Sequence, residues 1–151
     1  MKTSPAPAHP GASILLVDDN PHGLVARRAV LEELGYRVHT CVSGGEALEW
    51  FIQKPVDLVI TDFRMPGMDG ITLITRIREL RADMPIILLS GFVEPLGLTE
   101  QSTGADVVLS KSAGEVGFLV RSVRRLLSRQ PQRKPVESES VLQAKKARSA
   151  G

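Results

Sequence analysis

The sequence predicts an α/β protein, a parallel sheet of five strands covered on both faces by helices. Three observations predict it. Residues 14–17, 58–60, 86–89 and 107–109 are short, continuously apolar runs, the mark of strands buried on both faces. Between them run stretches whose apolar residues recur at helical spacing. The alternation of the two patterns implies right-handed crossovers and hence parallel neighbours.

Taken in order, the first run closes on Asp18-Asp19-Asn20-Pro21. Proline suits the first position of a helix, and the residues before it suit an N-cap. Leu24, Leu31 and Leu34 then form a stripe that Gly35 stops. Tyr36, Val38, Thr40 and Val42 alternate with Arg37, His39 and Cys41, which predicts a half-exposed edge strand. Ala47, Leu48, Phe51 and Ile52 make a second helical stripe, and Ile71, Ile74, Ile77 and Leu80 a third. Residues 93–104 hold Pro95, Gly97 and Gly104 with a weak stripe, so a helix there is expected to be short or irregular. A last helix places Val116, Leu119, Val120, Val123, Leu126 and Leu127 on one face and Arg121, Arg124 and Arg125 on the other.

Composition bounds the function classes. At 151 residues, 42% hydrophobic and 24% charged, the chain suits one domain, expected over residues 13–128, with disordered segments at 1–12 and 129–151. The apolar runs are far shorter than a membrane span and no signal peptide is evident, so a cytoplasmic protein is expected. Cys41 is the only cysteine and the three histidines are scattered, which excludes an intrachain disulfide and a thiolate or imidazole metal site. The net charge of +2 resides in the tail: six basic residues face two acidic ones from Arg129 onward, leaving residues 1–128 at −2. That leaves no basic face for a phosphate backbone, and residues 129–151 are too few for a DNA-binding domain with its own core.

Chemistry gathers where such sheets place it, at the C-terminal ends of the strands. Asp18-Asp19 closes the first strand, Asp62 the third, Ser90 the fourth and Lys111 the fifth. Three carboxylates held together repel unless a cation offsets them, and an all-oxygen set favours a hard ion such as Mg²⁺. A carboxylate nucleophile, a metal, a lysine and a hydroxyl together read as a phosphoryl acceptor.

The acidic pair, Asp62 before Met65-Pro66-Gly67-Met68-Asp69-Gly70, Ser90 with small Gly91, and Lys111 together resemble the receiver domain of bacterial two-component response regulators, here of stand-alone type. The resemblance implies a flavodoxin-like three-layer (βα)5 sandwich with strand order 2-1-3-4-5. It implies that Asp62 is the phosphoacceptor, taking its phosphoryl group from a sensor histidine kinase or a histidine phosphotransfer protein. It implies direct Mg²⁺ binding by Asp19, Asp62 and the backbone carbonyl of Arg64, with Asp18 assisting through water. Ser90 and Lys111 would contact the phosphoryl oxygens and carry the switch, Arg64 and Phe92 would flank the pocket, and output would pass to an unidentified downstream protein. Homodimerisation is left open.

Two positions depart from the receiver pattern. Ser112 replaces the usual proline after the lysine, where receivers form a cis bond. That bond costs about 0.5–1 kcal/mol before proline and about 2.5–4 kcal/mol before other residues, so either a costly cis Lys111-Ser112 bond or a reshaped loop is expected. Val108 stands where receivers carry a Tyr or Phe that turns inward, so readout is expected through residues 93–104 instead. These departures keep open a receiver-like interaction module with impaired switching. An aspartate-nucleophile phosphatase would want a second aspartate where Arg64 stands, and a flavin-phosphate site would be repelled by Asp18-Asp19.

Overall fold

The computed structural model describes residues 11–91, 96–112 and 114–129. Five strands, β1 (Ser13–Val17), β2 (Arg37–Cys41), β3 (Leu58–Asp62), β4 (Ile86–Ser90) and β5 (Val107–Ser110), pair in parallel in the order β2-β1-β3-β4-β5. Among the described residues the helices are α1 (Pro21–Glu33), α2 (Gly44–Gln53), α3 (Gly70–Leu80), the single turn α4 (Glu100–Thr103) and α5 (Glu115–Arg129). This is the flavodoxin-like three-layer arrangement with the strand order that the receiver resemblance implies.

Because strand side chains alternate, each strand feeds two cores. Ile14, Leu16, Leu58, Ile60, Ile87 and Leu89 meet α1 and α5 on one face, with Leu24, Leu31, Leu119 and Val123. Leu15, Val17, Val59, Ile86 and Leu88 meet α2 and α3 on the other, with Ala47, Phe51, Leu73 and Ile77. β3 and β4 are buried at every residue, whereas β2 is exposed or half-buried until Cys41, as an edge strand should be.

Three apolar residues assigned to helix stripes do not pack. Ile52, Leu80 and Val116 are 64%, 53% and 47% exposed. Residues three apart drift round a helix by about 60° per step, so Ile71 and Leu80 point to opposite sides and cannot share one buried face. Leu73 takes the place in the core instead, beside Ile74 and Ile77. In α5 the buried arc centres on Leu119, Ser122 and Leu126, which leaves Val116 at its margin.

Local chemistry sets the element ends. Asn20 caps α1 by accepting the His22 N–H, with Pro21 opening the helix. Ser43, Asp69 and Thr99 cap α2, α3 and α4 in the same way. In the described part of the weak segment α4 is one turn, closed by Gly104 at φ 82°. Gly11 and Ala12, placed by the sequence in the N-terminal segment, are tied to the sheet. The Gly11 N–H donates to Gly35 O and the Arg37 N–H to Ala12 O. Arg129, placed in the tail, ends α5. The segments expected to be disordered otherwise lie outside the described residues. Among the described residues no helix is long and apolar enough to cross a membrane.

Candidate functional site

The sheet ladder continues past the strand ends into the site. Asp18 N–H donates to Cys41 O at 3.1 Å, Phe63 N–H to Leu89 O at 3.0 Å, and Lys111 N–H to Ser90 O at 3.0 Å. The residues carrying the chemistry are thereby fixed by backbone bonds to neighbouring strands. Asp62 is the last residue of β3 and Ser90 the last of β4, and both are buried, at 7% and 1% exposure, while Asp19 is exposed at the rim.

Carboxylate oxygens of Asp18, Asp19 and Asp62 all lie within 4.8 Å of one another. Lys111 reaches into this cluster, its Nζ 2.9 Å from Asp62 Oδ1 and 3.4 Å from Asp18 Oδ2. Asp18 Oδ1 accepts the Asn20 N–H at 2.9 Å. Burial pushes the Asp62 carboxyl above its ordinary value and the Asp18 charge adds to this, while the Lys111 hydrogen bond and charge pull the other way. The donor set is three carboxylates with no soft ligand, which fits a hard divalent cation.

The loop after β3 explains why glycines follow the aspartate. Gly67 adopts φ 81°, the left-handed region that glycine enters freely. Gly70 starts α3 with its backbone packed against β3: its N–H donates to Phe63 O at 2.7 Å, and a Cβ there would lie 2.3 Å from Asp62 O. Asp69 caps that helix through the Thr72 N–H rather than joining the carboxylate cluster. Arg64 is exposed and lines a cleft of about 480 Å³ beside Asp19, with Met65, Pro66, Asp69 and Leu96.

Lys111 arrives without the strained bond considered from the sequence. Among the described residues no peptide bond is cis, so Lys111-Ser112 is trans while Lys111 still meets Asp62. Without the proline ring the loop takes the ordinary trans path, which removes the cost of a non-proline cis bond. Val108 is half-buried in β5 against the core shared with α2 and α3, and its N–H donates to Glu100 Oε2 at 3.2 Å. Phe92 lies outside the described residues.

Two site residues were not anticipated from sequence. Arg27 of α1 donates from Nη1 to Asp18 Oδ2 at 3.0 Å, and from Nε and Nη2 to both carboxylate oxygens of Glu115 in α5. Their side chains are only 11% and 10% exposed. The signal was present: Arg27 sits on the apolar stripe between Leu24 and Leu31, and Glu115 four residues before Leu119. A charge on a buried helical stripe calls for a partner.

Comparison with known proteins agrees with this geometry. Residues 14–122 match the response regulator receiver domain family. The transcriptional regulatory protein GlrR of Escherichia coli is 36% identical over 116 residues, covering 77% of this chain and 24% of that protein. The chain therefore spans about a quarter of the length of that relative. Among solved structures, the response regulator TrrA of Thermotoga maritima, in complex with Mg²⁺-BeF, is 34% identical with a TM-score of 0.70, over 76% of this chain and 98% of that one. A receiver domain of a signal transduction histidine kinase from Syntrophus aciditrophicus is 29% identical with a TM-score of 0.75, over 83% and 97%. With its 2-1-3-4-5 sheet, its acidic triad and a match across most of its length, this chain belongs to the response regulator receiver domain family, phosphoryl-accepting signalling modules rather than enzymes.

Proposed function

We propose that Asp62 accepts a phosphoryl group from the phosphohistidine of a sensor histidine kinase or a histidine phosphotransfer protein, and that the phosphorylated domain is read by a downstream partner in the cytoplasm. The observation that carries the reading is the cluster itself. Asp62 sits at a strand end with Lys111 Nζ 2.9 Å away and two further carboxylates within reach of one cation. Asp62 is the nucleophile, its carboxylate oxygen attacking phosphorus as the P–N bond to the donor imidazole breaks. Asp18, Asp19, Asp62 and the Arg64 carbonyl would hold Mg²⁺, which supplies neutralisation of the charge on the transferring phosphoryl oxygens. Lys111 and Ser90 receive those oxygens, the ammonium by charge and the hydroxyl by hydrogen bonding.

The half-buried Val108 has no ring to turn, so readout is assigned to the segment before β5. Its described part, from Leu96 to Gly104, is held by short-range contacts such as the Thr99–Ser102 capping box and the Glu100 carboxylate on Val108 N–H. Hydrogen exchange with and without beryllofluoride tests this, and unchanged protection there counts against it.

Phosphoryl acceptance is tested by incubation with Mg²⁺ and acetyl phosphate, followed by intact mass measurement. Wild type gains one phosphoryl group and Asp62→Asn gains none. Equal gain by both proteins, or gain by neither with acetyl phosphate or a histidine kinase, rejects Asp62 as the acceptor.

A further inference from the structure

The most unusual construction beside the acidic pocket is a second cation, supplied from inside the fold. Arg27 shares Asp18 Oδ2 with Lys111 and is backed by Glu115. Its access depends on Gly23, one turn earlier in α1. A Cβ at Gly23 would lie 2.7 Å from Arg27 Nη1 and 3.1 Å from Asp18 Oδ2. Glycine inside a helix is costly relative to alanine, so its presence where a guanidinium passes points to that passage being used.

We infer that Arg27 is a resident counter-cation of the pocket, a positioning residue that holds Asp18 and weakens the affinity for divalent cations. The inference rests on the reading of Asp18, Asp19 and Asp62 as a cation site. A guanidinium in a hydrogen bond to one carboxylate cancels part of the charge that attracts a metal, and it repels an incoming ion of like sign across a largely buried space. It also engages Asp18 Oδ2, the oxygen that Lys111 shares. Glu115 limits the effect, because its two oxygens draw the guanidinium toward α5 and offset its charge. The three residues thus set how much of the Asp18 charge is left for a metal.

The signs differ between substitutions, which separates this role from simple stapling of α1 to α5. In Gly23→Ala the new methyl meets Arg27 Nη1 and displaces the end of that side chain from Asp18. In Arg27→Leu/Glu115→Leu the ion pair is replaced by apolar groups of similar reach, a change buried pairs often tolerate. Both are expected to tighten binding of Mg²⁺ by about threefold or more. Glu115→Gln leaves the whole guanidinium to Asp18 and removes a negative charge, so binding weakens by about the same factor.

The experiment is isothermal titration calorimetry with Mg²⁺ alone on wild type, these three variants and Asp62→Asn, with thermal unfolding in parallel. Tightening in Gly23→Ala and weakening in Glu115→Gln support the inference, whether or not the double variant folds. Mg²⁺ affinities within twofold of wild type in both single variants, or moving in the same direction, overturn it even where melting temperatures change. Absence of Asp62-dependent binding in wild type removes the cation site itself, and the inference with it.

Discussion

Lys111 Nζ lies 2.9 Å from Asp62 Oδ1 although the Lys111-Ser112 bond is trans. The pairing survives loss of the usual proline because Lys111 is placed by its N–H bond to Ser90 O, upstream of the altered residue. Lys111, by hydrogen bond and charge, is also the main influence pulling the Asp62 carboxyl down against its burial. Lys111→Met is therefore expected to raise the Asp62 pKa further and to slow phosphoryl uptake. An NMR titration of the Asp62 side-chain carbon checks the first effect.

Asp62 itself opposes folding when ionised. Its pKa is raised in the folded state, chiefly by burial, so the folded protein holds this proton to higher pH than the unfolded chain. Stability is then lost as pH rises from below the ordinary carboxylate range through the raised value. Asp62→Asn is expected to melt at a higher temperature than wild type at pH 7 without Mg²⁺, and the difference should close in acid. Excess Mg²⁺ should reverse the order by stabilising only the protein that binds it. Calorimetric melts over a pH series, with and without Mg²⁺, measure both effects.

Gly70 is required by contact, not by dihedral angle. A Cβ 2.3 Å from Asp62 O and 3.0 Å from Phe63 Cα meets backbone, which cannot swing aside. Gly70→Ala is expected to cost about 1–3 kcal/mol and to displace Asp62. Urea unfolding gives the first figure. Reduced phosphoryl uptake in the surviving folded fraction reports the second.

On the sheet edge, His39 and the single tryptophan, Trp50, stack with ring centroids 3.4 Å apart and planes within 5°. Partial desolvation lowers the His39 pKa from its ordinary value near 6.5. A depressed histidine adds stability above the unfolded pKa that is lost as pH falls. Protonated imidazole quenches a stacked indole, so Trp50 emission should drop with a midpoint below 6.5, and His39→Asn should abolish the transition. A fluorescence titration decides it.

The alternation of double-faced apolar runs with helical stripes was enough for the layered sheet, because burial on two faces leaves its pattern in consecutive residues. Asp18, Asp19, Asp62, Ser90 and Lys111 were legible for a related reason: each lies within two residues of the end of an apolar run, so its place at the site follows from the strand before it. Exposure of Leu80 was legible, since spacing sets it half a turn from Ile71, but that of Ile52 and Val116 was not, since they lie at the margins of stripes wider than the surface that covers them. Arg27 and Glu115 illustrate what only tertiary structure decides. The sequence marks each as a charge on a buried stripe, but the residues are 88 apart, and only the packing of α1 beside α5 on one face of the sheet turns two isolated charges into a pair. By itself the sequence determined the sheet, the acidic triad and the lysine. The pairing of Asp18 with Arg27, and the trans path of Lys111 to Asp62, were decided by how the elements meet, because hydrogen bonds between distant segments depend on their relative placement and leave no periodic trace in the chain.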